Sequence, residues 1–201
     1  MYRLVYKLAC ANTVLAAAAM LTVPSVSAQT SDTIEGGRTT IWLSSTFVDA
    51  VGSLGVTPGT VSPASLSNGV IDLPVSSGVV ELGNARAQIL HSGGLTVTSG
   101  KTVVALDSFI IDTTGSMPVI TGLVVADGTL LGRVTLFDLT APSGLTLPLD
   151  PHNGELTLDS VGVTLDASAA SALNSVFHNT FFAKGLEIGT ANVVVMLSPI
   201  S

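Results

Sequence analysis

The residues that could do chemistry in this chain are few and scattered. Three histidines, His91, His152 and His178, stand among fourteen acidic residues and seven basic ones. Ser99-Gly100-Lys101-Thr102 copies the end of a phosphate-binding loop, but Leu95 occupies the position where that loop needs its first glycine. The run after it is strand-like, so no helix N-terminus would face a phosphate. We read it as a hairpin turn. Asp107 and Asp112 are an odd number of residues apart, which in one regular strand points them to opposite faces, so a paired-carboxylate site is not indicated. The chain has no G-x-S-x-G elbow, no H-E-x-x-H, no Cys/His cluster and no calcium loop of D-x-[DN]-x-[DN]-G spacing. Nothing asks for an enzyme, and no metal site is expected.

His91 is the candidate ligand-binding residue. His152 lies in the polar turn Pro151–Gly154, where an imidazole is solvated, and His178 falls at a helix end, where a cation suits the dipole. If Ala85 to His91 is a strand, one face carries Ala85, Ala87, Ile89 and His91. The two alanines leave space for a flat ligand beside an imidazole. The plainer reading is a histidine at a strand end, bonded to the backbone of the Gly93-Gly94 turn.

The elements that must position these residues are mostly strands. Asn84 to Thr114 is the stretch around which the chain is organised: β-rich runs broken at Gly93-Gly94 and Ser99-Gly100. Thr102 to Ile111 carries apolar residues on both faces of an ideal strand, which predicts a central strand covered on both sides. Strands are also expected at Thr39–Leu43, Val70–Val75, Val79–Leu82, Val119–Ala126, Thr129–Leu139, Glu155–Leu165 and Leu186–Leu197. Ser76-Ser77-Gly78 reads as a turn. Asp127-Gly128 between apolar runs is a strong hairpin signal, and the phase slip at Ser160-Val161 reads as a bulge. Two segments have helical period. In Ser45–Leu54, Thr46 and Asp49 resemble a capping pair and Gly55 is the stop. In the second, Asp166 caps a stripe of Ala169, Ala172, Leu173, Val176 and Phe177. Val56–Asn68 reads as a connecting loop, and the proline-rich Ala141–Pro151 as a segment crossing an edge or changing sheet. The fold class is all-β: an antiparallel β-sandwich or open barrel with two short α-helices.

Composition sets the compartment. Arg3 and Lys7, the apolar run Leu8–Val23 and the small residues Val26-Ser27-Ala28 read as a secretory signal, residues 1–28, cleaved after Ala28. Residues 29–38 follow as a polar leader without periodicity, and residues 39–201 as a single β-domain. Cleavage leaves five basic residues against fourteen acidic, a net charge of −9, which disfavours nucleic acid and anionic lipid as partners, and no nucleic acid is expected. It also removes Cys10, Tyr2 and Tyr6, so the mature chain has neither thiol nor phenol. No membrane span is expected after cleavage, since Val193–Leu197 is too short to cross a bilayer.

Taken in order, these segments resemble the HtaA-domain family of bacterial secreted and cell-surface proteins. Ile41-Trp42 with Ser45-Thr46-Phe47 is similar to that family's opening strand and helix, and Ile71–Leu82 to its next strands. Ser92-Gly93-Gly94-Leu95 and Phe109–Asp112 are similar to later strands. Val163-Thr164-Leu165, Ala169-Ala170 and Phe181–Gly185 are similar to the closing segment. The resemblance implies a mostly β fold with helices at one end, and haem held by a tyrosine with histidine support. Ala50 and Phe182 stand where the family pattern offers tyrosines, so that phenolate ligand is missing here.

Two functions from different classes follow. The first is an exported, non-enzymatic structural or interaction module with an unidentified surface or protein partner and no cofactor. The alternative is a carrier of haem or another hydrophobic ligand, using His91 or a dry apolar pocket.

Overall fold

The structure is a computed structural model and describes residues 31–198. The signal-peptide reading therefore lies outside the described residues. Eleven strands and two helices follow one another: β1 (Asp32–Leu43), α1 (Ser45–Ser53), β2 (Thr57–Val61), β3 (Ser65–Ser67), β4 (Val70–Glu81), β5 (Arg86–His91), β6 (Gly94–Ser99), β7 (Thr102–Asp112), β8 (Val119–Ala126), β9 (Thr129–Thr140), β10 (Glu155–Leu165), α2 (Ala167–Val176) and β11 (Glu187–Leu197). All strand pairs are antiparallel, in the order β5-β4-β1-β11-β10-β9-β8-β7, and β7 pairs with β5 to complete the ring. The all-β class with two short helices is borne out, and the architecture is a closed eight-stranded barrel. Closure leaves no free edge around the ring.

β7 is the branch point. One of its edges pairs with β8. The other pairs with β6 over Thr102–Asp107 and with β5 over Ile110–Asp112. β6 and β2 thus form a flap splayed off the barrel wall, and β3 extends β4 in the same way.

Four expectations about the strands need correcting. β1 starts at Asp32, so most of the presumed leader is strand, and Ile34 is among the most buried side chains. Its alternation is hidden by Gly36-Gly37 and by a bulge between Ile34 and Gly36. β4 runs unbroken through Ser76-Ser77-Gly78, because the slip there is a bulge against β5 and not a turn. Val56–Asn68 contains β2 and β3, whose short, polar pairings leave little period-2 signal. β7 is covered on one face only. Val104, Leu106, Phe109 and Ile111 are all buried, while Val103 is 41% exposed. Ser108 has φ 54° in a bulge between Asp107 and Ile110, which shifts the inward phase by one residue. Apolar residues on both ideal faces of β7 were the signature of that bulge.

Local chemistry elsewhere follows the sequence. Asp127 and Gly128 both have positive φ in the two-residue β8–β9 turn, and Ser99-Gly100-Lys101-Thr102 is the β6–β7 hairpin turn. The slip at Ser160 is a bulge in β10. The Asp166 carboxylate accepts from Ser168 N–H at 2.7 Å and caps α2. For α1 the cap is two residues earlier than the capping-pair reading placed it, at Ser44 and not at Thr46. Ser44 Oγ accepts from Phe47 N–H at 3.1 Å. Ala141–Pro151 does not change sheet; it folds over one end of the barrel and is tied by Leu149 N–H to Leu82 C=O at 2.7 Å. Among the described residues no helix is long and apolar enough to cross a membrane.

Candidate functional site

The barrel interior is mainly apolar at both ends, with a buried polar pair between them. On β1 the inward side chains are Ile34, Thr39, Ile41 and, half-buried, Leu43; on β5 they are Ala87, Ile89 and His91. Thr39 and His91 are the buried polar residues, with Thr39 fully buried and His91 5% exposed. Their side chains meet: Thr39 Oγ1 lies 2.8 Å from His91 Nε2. His91 Nδ1 lies 3.3 Å from the carbonyl oxygen of Phe109.

These partners fix the tautomer. A carbonyl can only accept, so Nδ1 carries the proton and donates to Phe109, while Nε2 accepts from the Thr39 hydroxyl. Both nitrogens of the neutral ring are satisfied, and no charged group takes part in these bonds. Desolvation by burial therefore dominates and lowers the His91 pKa from 6.5 to about 4, against the opposing hydrogen bonds to the Phe109 and Ile89 backbone.

A cavity lies on each side of this polar bond. The first, of about 130 Å³, sits under the helices. Phe47 and Val51 of α1 and Ala169, Ala172, Leu173 and Val176 of α2 roof it; Ile41, Leu106, Phe109, Val163 and Phe182 are among its walls, and Leu131 and Pro58 also line it. Phe182 is held edge-to-face against Phe181 with ring centroids 5.4 Å apart, and its backbone is clamped by the Asn174 side-chain amide. The second, of about 220 Å³, lies at the opposite end under the Ala141–Leu149 loop. Its walls include Ile34, Ala85, Ala87, Ile89, Ile111, Leu156 and Val195. On β1, β7, β10 and β11 alike, one cavity takes the residues at one end of the strand and the other cavity those at the far end.

The structure thus separates two things that the sequence placed together. Ala85 and Ala87 do border open space, in the second cavity, whereas His91 lines neither cavity. His152 is exposed in a two-residue bridge to Glu155, and His178 is exposed just past the end of α2. The first cavity was missed as a site because its lining of ordinary apolar residues is spread over ten strands, both helices and the loop that holds Phe182. The one local signal was the small residues Ala169 and Ala172 on the α2 stripe.

The donor set does not fit an iron ligated in the manner the family resemblance implies. Among the described residues no tyrosine, histidine, cysteine or methionine lines the helix-capped cavity. Ala50 of α1 is half-buried and Phe182 is in the wall, where neither can coordinate a metal. Among the described residues no three His, Cys, Asp or Glu side chains cluster as a metal site. What the arrangement can do is exclude water and hold an uncharged surface by contact.

No family model matches this sequence, and no curated protein matches it either. Solved structures do. The C-terminal domain of HtaA from Corynebacterium glutamicum is 18% identical, with a TM-score of 0.64 over 83% of this chain and 99% of that one. The N-terminal domain of the same HtaA is 14% identical, with a TM-score of 0.56 over 81% and 97%. The heme-binding protein HtaB of that organism is 12% identical, with a TM-score of 0.53 over 84% and 96%. The barrel with its two helices at one end is therefore the fold of the HtaA and HtaB domains, as the sequence resemblance implied.

Proposed function

We propose that this protein is an exported, non-enzymatic carrier that holds a flat hydrophobic ligand of the haem class under α1 and α2. The observation that carries this reading is the helix-capped cavity, whose walls are apolar except for Thr96. The fold it shares with a heme-binding protein supports the ligand class. The absence of an iron donor from the walls supports retention by apolar contact. At about 130 Å³ the cavity is below the ~300 Å³ of ordinary small-molecule sites, so entry needs α1 and α2 to move apart. Both helices are short, nine and ten residues, and draw their stability from packing on the barrel, so contacts with the ligand must offset the packing lost on opening. His91 then serves as a brace behind the site, joining β1, β5 and β7 across the barrel.

Titration of the mature protein with hemin and with metal-free protoporphyrin tests this. The two should bind with similar affinity, and Ala172→Trp at the cavity wall should abolish both. Hemin binding far tighter than the metal-free ring would show an iron ligand and refute the contact mechanism. Binding of neither would leave the structural or interaction module. One observation favours that second reading: Leu130 and Leu131, 62% and 57% exposed beside the β8–β9 turn, offer apolar surface to a protein partner.

A further inference from the structure

The second cavity is not needed by the function proposed above, yet it is the larger of the two, about 220 Å³ against about 130 Å³. Protein interiors hold few voids bigger than a water molecule, because the lining atoms of an empty space lose their dispersion contacts. Here the space persists because β5 presents alanine at 87, and alanine at 85 just before it, where larger apolar side chains would fill the barrel. The polar groups in its wall are already paired. Thr113 Oγ1 accepts from Ala87 N–H and donates to the Ala85 carbonyl, each at 2.7 Å. The Asn84 amide donates to Glu81 at 2.7 Å and accepts from Arg86 N–H at 2.9 Å. Among the described residues no buried side-chain nitrogen or oxygen lacks a partner. The wall therefore offers an incoming molecule no charged side chain, and its few polar groups are already engaged with the protein.

From this geometry we infer that the end of the barrel under the Ala141–Leu149 loop is a second ligand site, taking a neutral, compact hydrocarbon such as a substituted benzene ring or the end of an isoprenoid chain. A dry apolar cavity of about 150 Å³ is enough to admit benzene, and this one is larger. The loop is the door. Ala141 and Leu145 are exposed and line the cavity, while Leu149 is buried and anchors the loop through its bond to Leu82. The Thr39–His91 bond lies between this site and the helix-capped one, so the two fill independently.

The test uses the neutral fluorophore N-phenyl-1-naphthylamine on the mature chain, with Ala141→Trp blocking the loop end and Ala172→Trp blocking the helix end. Both substitutions are at exposed positions, so the variants should fold, which circular dichroism checks. Wild type should take about two equivalents and each variant about one. A single equivalent lost in Ala141→Trp and kept in Ala172→Trp would support this site while removing the helix-end one. If Ala141→Trp binds as wild type does, or if Ala172→Trp abolishes all binding, the second site does not exist.

Discussion

Acid should loosen this barrel through His91, and the size of the effect follows from its burial. Above pH 6.5 the imidazole is neutral whether the chain is folded or not, and its two hydrogen bonds are intact. As pH falls below 6.5 the unfolded chain binds a proton on this residue, while the folded chain refuses it until about pH 4. The unfolded state then holds more protons, so stability falls with falling pH. The loss is about 3 kcal/mol when complete, with about 2 kcal/mol of it gone near pH 5. Urea unfolding of the protein between about pH 8 and pH 4 measures this as a falling midpoint. The comparison is His91→Gln. That variant gives up the bonds to Thr39 and Phe109 and should be the less stable protein at about pH 8. It has no imidazole to protonate, so the gap should close by about 3 kcal/mol on acidification. Asp112, held below the usual carboxylate range by the Thr114 hydroxyl, titrates at lower pH and does so in both proteins. Parallel decline of the two proteins from pH 6.5 to 4 would refute the argument. It would mean that the buried ring is hydrated in solution.

Other outcomes follow from the same structure. Leu106→Asp places an unpaired carboxylate in the wall of the helix-capped cavity and should prevent folding, seen as loss of the strand circular dichroism signal. Asp166→Ala removes the α2 cap and should cost about 1 kcal/mol in urea unfolding. Because α2 roofs the cavity, the same variant should also release a bound porphyrin faster. Gly37→Ala should destabilise the barrel severely: Gly37 has φ 133°, and a Cβ there would overlap the backbone carbonyl of Val194 on β11. Wild-type melting behaviour of Gly37→Ala would show that β1 and β11 do not approach so closely.

The sequence by itself determined what depends on near neighbours. Strand period, the Asp127-Gly128 turn, the bulge at Ser160 and the Asp166 cap are set by a few adjacent residues, and each was legible. So was the inward face Ala87-Ile89-His91, since alternation is a local property, whereas Ala85 precedes the strand in a positive-φ turn. Tertiary structure alone decided matters of phase and closure. The bulges at Ile34/Gly36, Val75/Ser77 and Ser108 carry an inward face across an extra residue, and only the partner strand shows which way the chain resumes. Closure depends on β5 and β8 both reaching β7, an arrangement that no stretch of sequence encodes on its own. His91 shows the division well. Its strand and face were readable, but its meaning rests on Thr39, fifty-two residues away, and on the carbonyl of Phe109. Those two partners turn a residue that could have faced a ligand into one whose ring nitrogens are both engaged within the barrel.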